Sequence, residues 1–279
     1  MNYGVKATKK RIRAVTSRKK KYANRLFLTF FKTAFVLVLF LCVTGVSTFI
    51  GMFKGILDSS PDFNPDSFTP SGYFSTIYNS AGEVTDTLVG SNSNRIEASY
   101  EDFPQDLIDA FVSIEDSRFW QHSGIDLRSI SRAVVGVLTN NYKGGASTLT
   151  QQLAKNELFT QEKQMARKAA EMFAARDIED YYSKQQIFEM YAGSCYFGNQ
   201  WSGVAQAAQG YFGKPTRELT RAECVVLAGL PNAPSVYAAN GELARRRALV
   251  VVERMERAKK LTHTQALELR DEVSALPLW

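Results

Sequence analysis

Two glutamates stand where helical patterning calls for core residues. In the segment beginning at Pro104, Ile108, Phe111, Val112 and Phe119 recur at helical spacing, and Glu115 falls on the face they share if the helix continues that far. In RKAAEMFAARDIEDYY, Glu171, Ala175, Ile178 and Tyr182 share one face, with Arg167 one turn before the glutamate. Burying a carboxylate costs several kcal/mol unless it is paired or protonated. Taken alone, each acid therefore reads as a structural one satisfied by an arginine or histidine. Two of them on rigid helices change that reading, because one can accept a proton while the other serves the opposite face of a reacting sugar.

Between them lies GGASTLTQQLAKN. On a helix, Thr148, Gln151, Gln152 and Lys155 occupy an arc of about 100°, a row of polar groups along one face. Solvated faces are usually Glu/Lys mixtures, whereas amides and hydroxyls suit sugars and phosphate oxygens and the lysine adds a point charge. His122, in FWQHSGID, reads as a loop-ordering residue rather than a base, since two carboxylates already fill the acid and base roles. Cys42, Cys195 and Cys224 have no metal-ligand spacing, and the last two read as buried thiols rather than a disulfide.

These groups need elements to hold them. The chain has 279 residues, 45% of them hydrophobic, enough for one sizeable domain and too rich in core residues for disorder. Its net charge of +6 is unevenly placed: residues 1–32 hold eleven Lys or Arg and no acid, so +6 less +11 leaves −5 for the remainder. Thr33 to Phe53 then runs 21 residues without a charge, enough to cross a bilayer core of about 30 Å as a helix. The positive-inside rule keeps the basic arm in the cytoplasm and everything after Phe53 outside, and the arm attracts anionic lipid headgroups. A cleaved signal peptide is the alternative; the long basic region, the long apolar run and the want of a small-x-small site favour an anchor. Basic residues stop where the apolar run begins, which argues against nucleic acid as a partner.

Asp58 to Gly72 holds three prolines among polar residues and suits an extended linker. Ser75 to Leu88 reads as a hairpin turning at Asn79 to Gly82. Beyond Pro104 the pattern is helical. Ser183 to Gln186, Thr220 to Glu223 and Thr262 to Gln265 match capping boxes that start helices, while Gly229 and Pro231 stop the helix ECVVLA.

Five blocks then resemble, in order, the peptidoglycan glycosyltransferase domain of class A penicillin-binding proteins and of monofunctional transglycosylases. They are EDSRFWQHSGID (115–126), GGASTLTQQLAKN (144–156), RKAAE (167–171), GVAQAAQGYFGK (203–214) and LAGLPNAPSVY (227–237). The resemblance runs from about Ser75 to Met255. It implies a mostly α fold, with a lysozyme-like large lobe and a small membrane-associated lobe, preceded by one transmembrane helix and a short β-hairpin. ISRAVVGVLTNNY (130–142) offers apolar residues for the lipid interface. The expected organisation is a cytoplasmic arm over 1–32, a transmembrane helix over 33–53, a linker over 54–74, a glycosyltransferase domain over 75–261 and a C-terminal helical segment over 262–279.

The implied substrate is lipid II, a disaccharide-pentapeptide on undecaprenyl pyrophosphate, joined to a growing glycan chain; membrane lipid and cell-wall synthesis proteins are the other implied partners. By the same resemblance Glu115 is the general base toward the acceptor 4-hydroxyl. Glu171 assists departure of the lipid pyrophosphate, directly or through a divalent cation such as Mg or Mn. Lys155, Arg167 and Lys168 stand near the pyrophosphate, Ser147, Thr148, Gln151 and Gln152 position the donor, and Asp116, Phe119 and His122 support the site. An α-linked donor giving a β-1,4 polymer requires inversion.

The chain departs from the family pattern at two places. Tyr191-Ala192-Gly193 stands where Tyr-x-Asn is expected, and Ala238-Ala239-Asn240 replaces an expected proline. The only Ser-x-x-Lys spacing is Ser17 to Lys20 in the arm, and no Lys-Thr-Gly occurs, so peptide crosslinking is not expected of this chain. A lysozyme-like hydrolase and an inactive cell-wall scaffold remain the rival readings.

Overall fold

The computed structural model describes residues 4–16, 18–58, 65, 68, 75–82, 84–88, 95–140, 145, 147–159 and 165–279. They fall into two compact units, Met1–Ser59 and Ser60–Trp279. In the first, α1 (Val5–Thr16) carries basic residues and α2 (Arg18–Asp58) runs unbroken through the charge-free stretch. The helix thus begins before the expected span 33–53 and outlasts it. Its window Tyr22–Thr48 is the one stretch among the described residues long and apolar enough to cross a membrane. At 1.5 Å per residue it reaches about 40 Å, more than a hydrocarbon core of about 30 Å. Phe30, Phe35, Leu37 and Leu41 are exposed on it, as a lipid-facing surface requires. The hydroxyls of Thr29, Thr33, Thr44 and Thr48 each donate to the carbonyl four residues back, so these four polar side chains are satisfied within the helix.

The second unit includes an antiparallel hairpin, β1 (Ser75–Tyr78) and β2 (Val84–Leu88), with Ser75 opposite Leu88. Asn79 makes its turn, accepting from Ala81 N through Oδ1 at 2.9 Å. Beyond the end of α2, the expected linker lies mostly outside the described residues. The remainder is helical: α3 (Gln105–Glu115), α4 (Leu127–Leu138), α5 (Leu149–Leu158), α6 (Met165–Tyr181), α7 (Lys184–Ser194), α8 (Val204–Phe212), α9 (Arg221–Gly229), α10 (Pro234–Ala238), α11 (Gly241–Arg257) and α12 (His263–Ala275). The mostly α architecture with one short hairpin is the one the sequence implied.

Helix α9 is apolar nearly all round and sits at the centre, with every residue from Ala222 to Gly229 buried. Helices α3 and α11 pack against it, and α12 packs on both α9 and α11. The buried residues of α11 include Ala244, Ala248, Val251, Val252 and Met255, a single helical stripe; α12 adds Ala266, Leu269 and Val273 to the same core. Helix α5 packs against α6 and α7. Phe111 of α3 joins the two groups, edge-on to Phe188, Tyr191 and Phe197 at 6.0 to 6.3 Å.

The three capping boxes are formed and start α7, α9 and α12. Helix α3, however, ends at Glu115. Asp116 leaves the helix (φ −153°, ψ 79°), and its Oδ2 accepts from His122 Nε2 at 2.8 Å and from Leu149 N at 3.1 Å. Phe119 is therefore not on the α3 face that the spacing suggested. It lies in a separate turn, Phe119–Gln121, and is still fully buried. Cys195 and Cys224 are buried free thiols, as expected.

Candidate active site

The loop between α3 and α4 is fastened before it contributes to any site. Gly124 has φ +80°, and a Cβ there would lie 2.6 Å from the Ala175 carbonyl oxygen of α6, so only glycine fits. Its own carbonyl accepts from Thr148 Oγ1 at 2.6 Å and from Gln151 Nε2 at 3.5 Å. Thr148 also caps α5 by accepting from Gln151 N at 3.2 Å. Thr148 thus stands at the head of α5 rather than within it, and both Thr148 and Gln151 are buried and turned partly to the loop. At the loop's other end Asp126 caps α4, accepting from Ser129 Oγ at 2.6 Å, from Arg128 N at 3.0 Å and from Arg118 at 3.0 Å. Burial opposes its charge, but these donors and the guanidinium outweigh it and hold Asp126 below the usual carboxylate range.

Above this framework opens a cleft of about 810 Å³. Glu115, Asp116, Ser147, Thr148, Gln151, Gln152, Lys155, Arg167, Lys168 and Glu171 all line it. Residues far apart in sequence and singled out by type are therefore brought together. Phe119 and His122 are not in the lining: the first is core, and the second holds Asp116.

The two glutamates have opposite surroundings. Glu115 is half-buried at the C-terminal end of α3, where the helix dipole disfavours negative charge. A neutral amide meets it, Gln152 Nε2 donating to Oε2 at 2.8 Å. Glu171 is 3% exposed and both its oxygens are taken by cations, Oε1 by Arg167 Nε at 3.0 Å and Oε2 by Lys168 Nζ at 2.8 Å. Lys168 also donates to Ser147 Oγ at 2.8 Å, tying α6 to the loop before α5.

Ten residues of the lining were not among the sequence candidates, and four of these carry a cation or an amide: Arg132 on α4, Asn232, and Arg247 and Arg254 on α11. Neighbouring Arg245 and Arg246 pair with Glu242, and Arg257 with Glu253. Among the described residues no carboxylate pairs with Arg247 or Arg254. Ser113 Oγ and Arg247 Nε, both from lining residues, are buried and lack a hydrogen-bond partner among the described residues, so they are available to a polar ligand. A signal existed, since no acid lies three or four residues from either arginine, where a helical salt bridge would need one.

The departures at Gly193 and Ala239 lie outside this lining. Gly193 faces a separate cavity of about 260 Å³, where a Cβ would meet nothing within 4 Å; a Cβ on Gly203 would lie 3.0 Å from the Gly193 carbonyl oxygen. Asn240 caps α11, its Oδ1 accepting from Leu243 N at 3.1 Å.

The transglycosylase family profile matches residues 81–256, a span that takes in both glutamates and every lining residue. The chain belongs to the transglycosylase family. Within that family, penicillin-binding protein 1A of Neisseria cinerea is 39% identical over 236 residues, covering 84% of this chain and 29% of that protein. Penicillin-binding protein 1A of Clostridium tetani is 36% identical over 225 residues, covering 79% and 28%. The chain spans less than a third of the length of these relatives. A crystal structure of penicillin-binding protein 1A from Haemophilus influenzae covers 76% of this chain and 22% of that one, at 26% identity and a TM-score of 0.42. The transglycosylase match ends one residue past Met255, where the sequence resemblance also ends.

Proposed function

We propose that this chain is a peptidoglycan glycosyltransferase that polymerises lipid II into β-1,4 glycan strands at the outer face of a membrane. The observation that carries the reading is the pairing in one cleft of a carboxylate met by a neutral amide with one saturated by two cations. Glu115, free of a cationic partner among the described residues, suits a base. It takes the proton of the acceptor 4-hydroxyl as that oxygen bonds to the anomeric carbon of the donor. The bond from that carbon to the phosphate oxygen breaks, its electron pair leaves with the lipid pyrophosphate, and the centre inverts.

The departing charge needs fixed cations, and Lys155, Arg167 and Lys168 line the cleft with Arg132, Arg247 and Arg254. Ser147 and the polar row of α5 would orient the donor. Glu171 acts in this reading as the counter-ion that holds Arg167 and Lys168 together. A divalent cation on Glu171 would share its carboxylate with the two positive charges already seated there. Six cations favour transfer from a pyrophosphate over hydrolysis of a neutral glycan, which has no anionic leaving group.

The basic arm on the cytoplasmic side and α2 as the anchor keep the site at the surface where a lipid-linked substrate lies. The exposed Leu127, Val135, Val137 and Leu138 of α4 supply an apolar surface for the lipid interface. The test is purified chain with lipid II in detergent. Polymer is expected, and Glu115→Gln should slow it about 10²- to 10⁴-fold. Shortening of preformed strands without polymer would instead identify a hydrolase, and an unchanged rate in Glu115→Gln would remove the base assignment.

A further inference from the structure

Three helices close a loop of contacts around Glu115. Tyr191 on α7 is fully buried, its ring edge-on to Phe111 at 6.0 Å. Phe111 lies one helical turn before Glu115, so the helix that carries the carboxylate also fixes the ring. The Tyr191 hydroxyl reaches Gln152 Oε1 on α5 at 3.5 Å, and Gln152 Nε2 donates to Glu115 Oε2 at 2.8 Å. The circuit returns to α3. Its long step, at 3.5 Å, exceeds the ordinary O–H···O range of about 2.5 to 3.0 Å, so it must shorten to act.

The chemistry of the three groups gives the circuit a direction. A carboxylate only accepts, so it takes the amide's NH₂ end and the amide oxygen must face the phenol. Burial, with Cys195 hydrogen-bonded to it and Glu115 close by, pushes the Tyr191 hydroxyl well above its ordinary range, so it stays protonated; its one hydrogen is shared between the amide oxygen and the Cys195 sulfur. Without that donor the amide oxygen loses its partner, and only the carboxylate is left to hold the amide in place.

We propose that Tyr191 is a positioning residue for glycosyl transfer: it fixes the orientation of the Gln152 amide, which in turn aims Glu115 at the acceptor hydroxyl. The inference rests on Glu115 being the base. Among the described residues, the other titratable or charged groups around this corner include Asp116 and His122 after α3, Lys155 and Glu157 on α5, Arg95, Cys195 after α7, and Arg247 and Arg254 on α11. Tyr191→Phe leaves all of them, and the ring packing, in place.

The experiment is the pH dependence of lipid II polymerisation by the full chain in detergent. Tyr191→Phe is expected to lower kcat about 3- to 10-fold with KM unchanged. It should also move the acid limb of the kcat profile to higher pH, because Glu115 loses a donor that favours its ionised form. On a Gln152→Ala background the same substitution should have no further effect. Replacing Tyr191 by 3-fluorotyrosine, which keeps the ring and strengthens the donor, should move the limb to lower pH; it decides the matter alone if Tyr191→Phe does not fold. A polymerising wild type with an unmoved limb in these variants, or losses that multiply in the double variant, overturns the inference and leaves the function standing. A wild type that makes no polymer removes both.

Discussion

Glu171 and Glu115 differ less in type than in neighbours, and the neighbours set what each can do. Both oxygens of Glu171 are engaged by donors in a nearly closed position, so a glutamine there must turn its NH₂ toward either Arg167 or Lys168. Glu171→Gln should therefore lose about 1 to 3 kcal/mol of stability in denaturant melts, and polymerisation should fall with it. Arg254 is the contrasting case: it is exposed, lines the cleft and has no carboxylate partner among the described residues. Arg254→Gln should leave stability within about 0.5 kcal/mol and lower kcat/KM roughly 10-fold. A stability loss with an intact rate would make its role structural. The glutamates were legible because an acid interrupted an apolar stripe. Arg247 and Arg254 are not distinguishable by type in RRRALVVVER from Arg245 and Arg246, which pair with Glu242, and only the missing helical partners set them apart.

At the level of elements, local signals were read correctly wherever the local chain decides. Three capping boxes and the hairpin turn need only their own residues, and all formed. The end of α3 is different, because no Gly or Pro follows Glu115 and the helix is stopped by tertiary bonds from His122 and from the head of α5 to Asp116. Such bonds have no sequence signature. Gly124 completes that fastening, and Gly124→Ala would need both a positive φ and room that the α6 backbone occupies. It should cost at least about 2 kcal/mol by thermal melting and abolish polymerisation, since the loop carries the head of α5 with it. At α9, Glu223 accepts from Lys214 Nζ at 2.8 and 3.1 Å and from Thr220 N at 2.7 Å. Burial works against its charge, but these bonds hold it below the usual carboxylate range. A lowered folded-state value gives stability that is present above the unfolded value and lost as pH falls through the folded one. The stability gap between wild type and Glu223→Gln should therefore be widest near neutrality and close below about pH 4, as urea melts across that range would show.

The whole molecule separates folding from location. Unit Ser60–Trp279 is compact by itself, with its core built from α3, α9, α11 and α12 and from the aromatic group at Phe111, while the apolar side chains of α2 are exposed. Stability and membrane residence should then be separable. A chain beginning at Ser60 is expected to unfold within a few degrees of the full chain, because losing exposed residues removes little buried area. Its polymerisation should divide by medium. In detergent, where enzyme and lipid II meet by free diffusion, the rate should stay within about twofold. On lipid II in liposomes the anchor confines both partners to one surface, and its removal should slow the reaction by 10²-fold or more, on the order of an effective-concentration loss. The exposed apolar residues of α4 predict that some membrane binding survives truncation, and Leu138→Ser in the truncated chain should weaken liposome co-sedimentation further. Equal liposome rates for full and truncated chains would mean that α4, rather than α2, keeps the site at the membrane.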